Sequence, residues 1–301
     1  MRYFRKIILI VLLIILFALS FWHFNLKIFL ADIYFQQTRS FDKWPEMLKA
    51  HDQVLLYQPR EPYYQKQFAL DLIWSLDLFY QDQDLKIKVL NLAIERMEEI
   101  PVQDQIFEVK VYLARIYTIK ANLTQLEQDF LKAEEMIIKV AEISPQMAVI
   151  YNDWCQLKIY QKKWEEAKEM CRKALSLYPP LDHPQMTQDH RVLVMAEMSQ
   201  VYEKFGHIYT SLGNYQKAEQ LYLQVLKFFP LGKPYIWKKM GDLYYLQGDI
   251  GSAIQKNLHG YTLDPNDPVW TRALYLLYLE KGDLESAEIW QEKLNLNKNK
   301  L

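Results

Sequence analysis

Glycine is scarce in this chain, 8 of 301 residues, and cysteine scarcer, at 2. So little glycine disfavours a β or loop-rich fold and leaves no Gly-rich loop to cradle a phosphate. Two cysteines alone cannot build a metal site. Excess charge is missing too: 36 Lys and Arg stand against 37 Asp and Glu, and no basic block follows the first six residues. Nucleic acid therefore has no electrostatic claim as a partner. There is no nucleophile elbow and no His pair flanking a Glu on a helix. The paired carboxylates Glu98-Glu99 and Glu165-Glu166 fall on helix faces that read as solvated. No enzymatic activity, cofactor, bound metal or small-molecule substrate is expected.

Hydrophobic residues are plentiful, at 50% with 14% aromatic, enough for a continuous core in an all-α chain. They are also periodic. In residues 202–230, Tyr202, Phe205, Gly206, Tyr209, Gly213, Tyr215, Ala218, Tyr222, Leu226 and Pro230 mark positions that recur in residues 237–265. There Trp237, Met240, Gly241, Tyr244, Gly248, Ile250, Ala253, Asn257, Tyr261 and Pro265 stand in step, a period of about 35 residues. Apolar residues three and four apart give each unit two antiparallel helices. Gly-Asn or Gly-Asp makes the turn and Pro closes the second helix. Gly206 and Gly241, facing Ala218 and Ala253, let the two backbones approach closely.

An aromatic at the first marked position, a small residue four later and an aromatic at seven resemble the tetratricopeptide repeat. Tyr151, Trp154, Cys155, Trp164, Ala167, Cys171, Ala174, Leu175 and Pro179 form a third unit, with Lys158 for the usual aromatic and Lys162 for the turn Gly. Leu274, Tyr275, Tyr278, Gly282, Asp283 and Ala287 form a last one, ending in the polar Asn295, Asn297, Lys298, Asn299 and Lys300 as a cap would. Upstream, Leu113, Ala114 and Tyr117 pair with Ala133, Ile137, Val140 and Pro145 across a turn read as lengthened over residues 118–129. Phe68, Ala69 and Leu72 with Ala93, Ile94, Met97 and Pro101 give another pair, and Tyr34, Phe35 and Thr38 with Leu48, His51, Val54 and Pro59 the most degenerate. The resemblance implies a right-handed superhelical solenoid of about seven antiparallel helix pairs. Its parts are residues 1–30 as stub and anchor, 31–179 as degenerate to moderate pairs, 180–198 as a joint, and 199–301 as well-matched units with a cap.

The anchor is read from residues 7–22, an unbroken apolar and small run behind Arg2, Arg5 and Lys6. At about 1.5 Å per residue this run spans roughly 24 Å, short of a hydrocarbon core of about 30 Å, and extension to Leu26 closes the gap. His23 and Asn25 would then sit at the far interface beside Trp22 and Phe24. The expectation is a single transmembrane helix over residues 7–26, with the N-terminus cytoplasmic and the repeats outside, because only Lys27 and Arg39 follow closely. A cleaved signal before Phe21, with Ala18 and Ser20 at the small positions, competes.

Cys155 and Cys171 come opposite one another when counted outward from the turn near Lys162. A disulfide and a pair of reduced core thiols both fit. His183 and His190 with Asp182 and Asp189 occupy the connector; their spacing matches no metal site, and Asp189 can cap the next helix. Asn122-Leu123-Thr124 satisfies the glycosylation pattern.

By resemblance, a protein partner lies in a groove lined by first helices. The residues that would face it are Asn152, Gln156, Glu203, His207, Tyr235, Lys238, Asp242, Tyr245 and Arg272. Some family members clamp a C-terminal carboxylate with a Lys and an Asn four apart. Here Asp242 follows Lys238, so that ligand is not expected. Leu30-Ala31-Asp32-Ile33-Tyr34-Phe35 is similar to the start of the repeat tail in O-antigen polymerase or ligase-like proteins. The expected function is a membrane-anchored scaffold of the bacterial cell envelope that binds another protein. The alternative is an accessory of surface polysaccharide assembly that contacts glycan through Tyr235 and Tyr245.

Overall fold

The computed structural model describes residues 2–22, 26–38, 44–57, 62–74, 76, 82–100, 107–229 and 233–298. Fifteen α-helices are found among them: α1 (Arg2–Phe21), α2 (Lys27–Thr38), α3 (Trp44–Tyr57), α4 (Pro62–Trp74), α5 (Gln83–Glu98), α6 (Phe107–Thr124), α7 (Glu127–Ile143), α8 (Ala148–Tyr160), α9 (Trp164–Leu177), α10 (Gln188–Ser211), α11 (Tyr215–Phe228), α12 (Pro234–Leu246), α13 (Ile250–Leu263), α14 (Pro268–Lys281) and α15 (Leu284–Lys298). From α2 onward they fall into seven consecutive helix pairs, the all-α solenoid plan that the repeats imply. The closing residues Pro59, Pro101 and Pro230, the interfacial His23, Phe24 and Asn25, and the terminal Asn299 and Lys300 lie outside the described residues.

The membrane anchor is not borne out. Among the described residues no helix is long and apolar enough to cross a membrane. The apolar part of α1 begins at Ile7 and the helix ends at Phe21, fifteen residues or roughly 22 Å. Extension to Leu26 runs across residues 23–25, outside the described residues, and the next described helix, α2, is bounded at Lys27. The single-pass topology, the cytoplasmic N-terminus, the exported repeats and the membrane attachment of the scaffold all rested on that span and fall with it. Leu30 to Phe35 lie inside α2, so their placement directly after a span loses its basis as well.

The chain divides into two compact units, Met1–Glu142 and Ile143–Leu301. In the first, Ala31 of α2, Val54 of α3 and Tyr64 of α4 form a small core, and the Tyr64 hydroxyl donates to Asp32 Oδ1 at 2.6 Å. His51 is fully buried, its ring stacked on Phe68 at 3.7 Å. The lengthened turn expected over residues 118–129 is instead helix. α6 continues to Thr124 because Ala121 is buried and the Thr118 hydroxyl returns its hydrogen bond to the Ala114 carbonyl. Only Gln125 and Leu126 separate it from α7, with Gln125 at φ 54°.

The second unit repeats one turn geometry four times. Lys162, Gly213, Gly248 and Gly282 have φ of 58°, 73°, 79° and 80°, the left-handed conformation that ends the first helix of each pair. Asn214, Asp249 and Asp283 follow and accept hydrogen bonds from the backbone N–H groups of Lys217, Ser252 and Ser286. Capping of this kind satisfies N–H groups the helix cannot. At α9 both devices are lacking: Lys162 bears a side chain where glycine is favoured, and Lys163 makes no side-chain cap. Thr187, rather than Asp189, caps α10 by accepting from the His190 N–H.

Small buried residues on the second helices pack into clusters that run on into the next pair. Ala167 and Ala174 pack with Cys155, Val201, Phe205 and Ile208, while Ala218 and Tyr222 pack with Ile236, Met240 and Leu243. Ala253 closes on Leu274, Leu277 and Trp290. The core is thus carried from one pair to the next, as a stack requires.

Candidate functional site

The first helices of the second unit are joined in sequence by polar side chains. Lys204 of α10 donates to the carbonyl and Oδ1 of Asn152 on α8, at 3.0 and 2.6 Å. From α12, the Tyr235 hydroxyl donates to Glu203 Oε2 at 2.8 Å, Lys239 approaches Glu203 Oε1 at 3.4 Å, and Lys233 donates to Ser199 at 2.6 Å. Tyr245 of α12 and Glu280 of α14 line one cavity, and the Glu280 carboxylate raises the Tyr245 phenol above its usual value. Burial and the Glu203 carboxylate push the Tyr235 phenol far above its usual range, so it stays a donor. Burial lowers the Lys233 ammonium, against the pull of Glu203.

Of the residues expected to face a partner, Glu203, Tyr235, Lys238, Asp242 and Tyr245 come together on neighbouring turns of α10 and α12. Tyr235 and Tyr245 are 42% and 43% exposed, unusually wet for large aromatics within a packed repeat. Asn152 is 2% exposed and committed to Lys204, and Gln156 stands one turn further along α8. His207 is exposed and meets Trp164 edge-on at 6.2 Å, and Arg272 is exposed on α14. Lys238 is paired with Asp242 one turn on, so its ammonium is engaged where a carboxylate clamp would need it free.

A cavity of about 250 Å³ opens between α12, α13 and α14. Lys238, Gly241, Asp242 and Tyr245 line it from α12, Asn257 from α13, and Ala273, Leu276, Leu277 and Glu280 from α14. Three of these, Lys238, Asp242 and Tyr245, belong to the expected set; Asn257 and Glu280 do not. Asn257 could have been found by comparing repeats, since Tyr222 holds its position one repeat earlier. Glu280 left no such trace, because only folding brings the end of α14 to Tyr245. Among the described residues no group of three or more His, Cys, Asp and Glu side chains could hold a metal ion, and none assembles a catalytic cluster.

Residues 199–230 match the tetratricopeptide repeat family model. None of the curated proteins matches the chain by sequence. Among solved structures, BtubC (BKLC) from P. vanneervenii is similar at 18% identity and a TM-score of 0.53, over 73% of this chain and 92% of that one. The Cut9-Hcn1 hetero-tetramer of APC/C is similar at 15% identity and a TM-score of 0.51, over 92% of this chain and 53% of that one. These likenesses establish a shared helical-repeat fold.

Proposed function

We propose that the chain is a scaffold that binds another protein across the first helices of its second unit. The observation that carries this reading is the run of partly exposed aromatic and charged side chains, Glu203, Tyr235, Lys238, Asp242 and Tyr245, set on rigid helices and continuous with a cavity. Tyrosine is enriched at protein-recognition surfaces, where it buries large area at little cost in side-chain entropy. The fold shared with a chain solved within the Cut9-Hcn1 assembly is compatible with such a role.

The test is a photo-crosslinking amino acid placed at Leu246, beside Tyr245 and 55% exposed, in the full chain. The expected result is one discrete protein adduct that is lost in a Tyr235→Ala, Tyr245→Ala double variant whose circular dichroism is unchanged. An adduct that survives the double variant would remove this face from the interaction. Retention of a glycan probe with no protein adduct would overturn the reading.

A further inference from the structure

The positions of Gly206 and Tyr222 in one repeat are those of Gly241 and Asn257 in the next, in each case sixteen residues apart. In the first, the Tyr222 ring fills the space over the glycine so closely that a Cβ on Gly206 would lie 2.4 Å from it. In the second, the shorter Asn257 sits over Gly241, and the cavity opens beside it. Asn257 is 1% exposed; its Nδ2 donates to the Ala253 carbonyl at 2.8 Å, while its Oδ1 receives no hydrogen bond. The bond to Ala253 fixes the amide orientation, because a carbonyl can only accept, so the orphan is an acceptor. A buried acceptor without a donor is costly unless a ligand supplies one.

The rest of the lining has the same character. Lys238 is neutralised by Asp242, which leaves the Glu280 carboxylate as the uncompensated charge, one cation against two anions. Leu276 and Leu277 give one wall an apolar surface suited to a methylene stem. Carboxylate acceptors in the lining, a net negative charge and an apolar wall together match a long side chain with a cationic, donor-only head.

We propose that this cavity is a subsite for an arginine or lysine side chain of the protein partner, its stem in the space that Asn257 leaves unfilled and its head directed to the Glu280 and Asp242 carboxylates. This rests on the scaffold reading above and names what that face selects. It is tested on the full chain with three blocked pentapeptides, alanine throughout except for a central Arg, norleucine or Glu, titrated by NMR with the Asn257 side-chain amide as reporter. The Arg peptide should bind and shift that amide, the norleucine peptide at least about tenfold more weakly, and the Glu peptide not at all.

Asn257→Tyr, which restores the residue of the preceding repeat and should fold as that repeat does, should abolish Arg-peptide binding. Glu280→Gln, at an exposed position, should weaken it at least about tenfold without altering the fold. Equal binding of the Arg and norleucine peptides, no binding of any, or full binding by Asn257→Tyr would each overturn the inference. If the crosslinked protein adduct persists in Asn257→Tyr while the Arg peptide fails on the wild type, the subsite is wrong and the scaffold stands. Loss of both adduct and peptide binding from the wild type removes the two together.

Discussion

Cys155 on α8 and Cys171 on α9 are joined by a disulfide, with their Cα atoms 5.2 Å apart, at the positions that Gly206 and Tyr222 occupy in the following pair. One close approach between paired helices is therefore used three ways along the stack: as a covalent bridge, as a ring packed on a glycine, and as a cavity floored by Asn257. Of the two readings that the sequence allowed for these cysteines, the structure takes the bridge.

Reduction should destabilise the second unit. Closing a loop of this length restricts the unfolded chain by about 3 kcal/mol in the chain-entropy model, and both cysteines are fully buried. Urea unfolding of the native protein against a fully reduced sample, with thiols counted by mass spectrometry, should show a lower midpoint on reduction. Coincident curves would mean that the bridge contributes nothing to the fold.

Replacement of Lys162 and Lys163 by the residues of the other turns should stabilise it. Lys162→Gly relieves a side chain held at φ 58°, and Lys163→Asp supplies the cap missing from α9. About 1 kcal/mol is expected from each, less whatever the loose Lys163 contact with Glu166 at 4.0 Å contributes. Thermal unfolding of the single and double variants checks this, and a fall in midpoint on Lys162→Gly would contradict it.

Gly206 and Gly241 should respond differently to alanine. At Gly206 the new methyl meets the Tyr222 ring, which is 2% exposed and has nowhere to move, so a loss of about 1–3 kcal/mol is expected. At Gly241 it meets the terminal amide of Asn257 and comes within 3.3 Å of the Ala253 carbonyl; the amide borders the cavity and can yield by giving up its bond to Ala253, so a smaller loss is expected. A double-mutant cycle with Tyr222→Leu should recover much of the Gly206→Ala cost. Equal losses at the two glycines would argue against the cavity.

His51 should make the first unit sensitive to acid. Burial, with the charge of Arg96 adding to it, lowers the imidazole from 6.5 to about 3. A depressed folded-state value means that the unfolded chain takes up the proton first. The stability present above pH 6.5 is therefore lost as pH falls from there toward 3, by about 2 kcal/mol at pH 5. Urea midpoints at pH 7 and pH 5 should differ for the wild type, and the gap should narrow in His51→Gln. An undiminished gap would assign the acid sensitivity to other groups.

The helix pairs were legible because their signals are local. A Gly-Asp turn, an apolar residue every third or fourth position and a closing proline each act within one or two turns of backbone, so α10 to α13 follow from residues 202–265 almost unaided. The lengthened turn was misread where that local signal ran out. Residues 118–124 lack a turn signature and become helix through the burial of Ala121, which depends on what packs against it. The anchor was misjudged for a related reason: composition measures how apolar a run is, while its reach depends on where α1 ends, at Phe21.

The chain by itself determined an all-α stack, its turn chemistry, the near balance of acidic and basic residues, and which residues stand on first helices, since these depend on composition or on neighbours within a few positions. Only the tertiary structure decided that Asn152 is spent on Lys204 and that Tyr245 and Glu280 line one cavity from α12 and α14. It also decided that the exchange of tyrosine for asparagine at residue 257 leaves a space rather than a collapsed core. The reason is that burial and unpaired acceptors are properties of what surrounds a side chain, and those surroundings are assembled from segments the sequence holds apart.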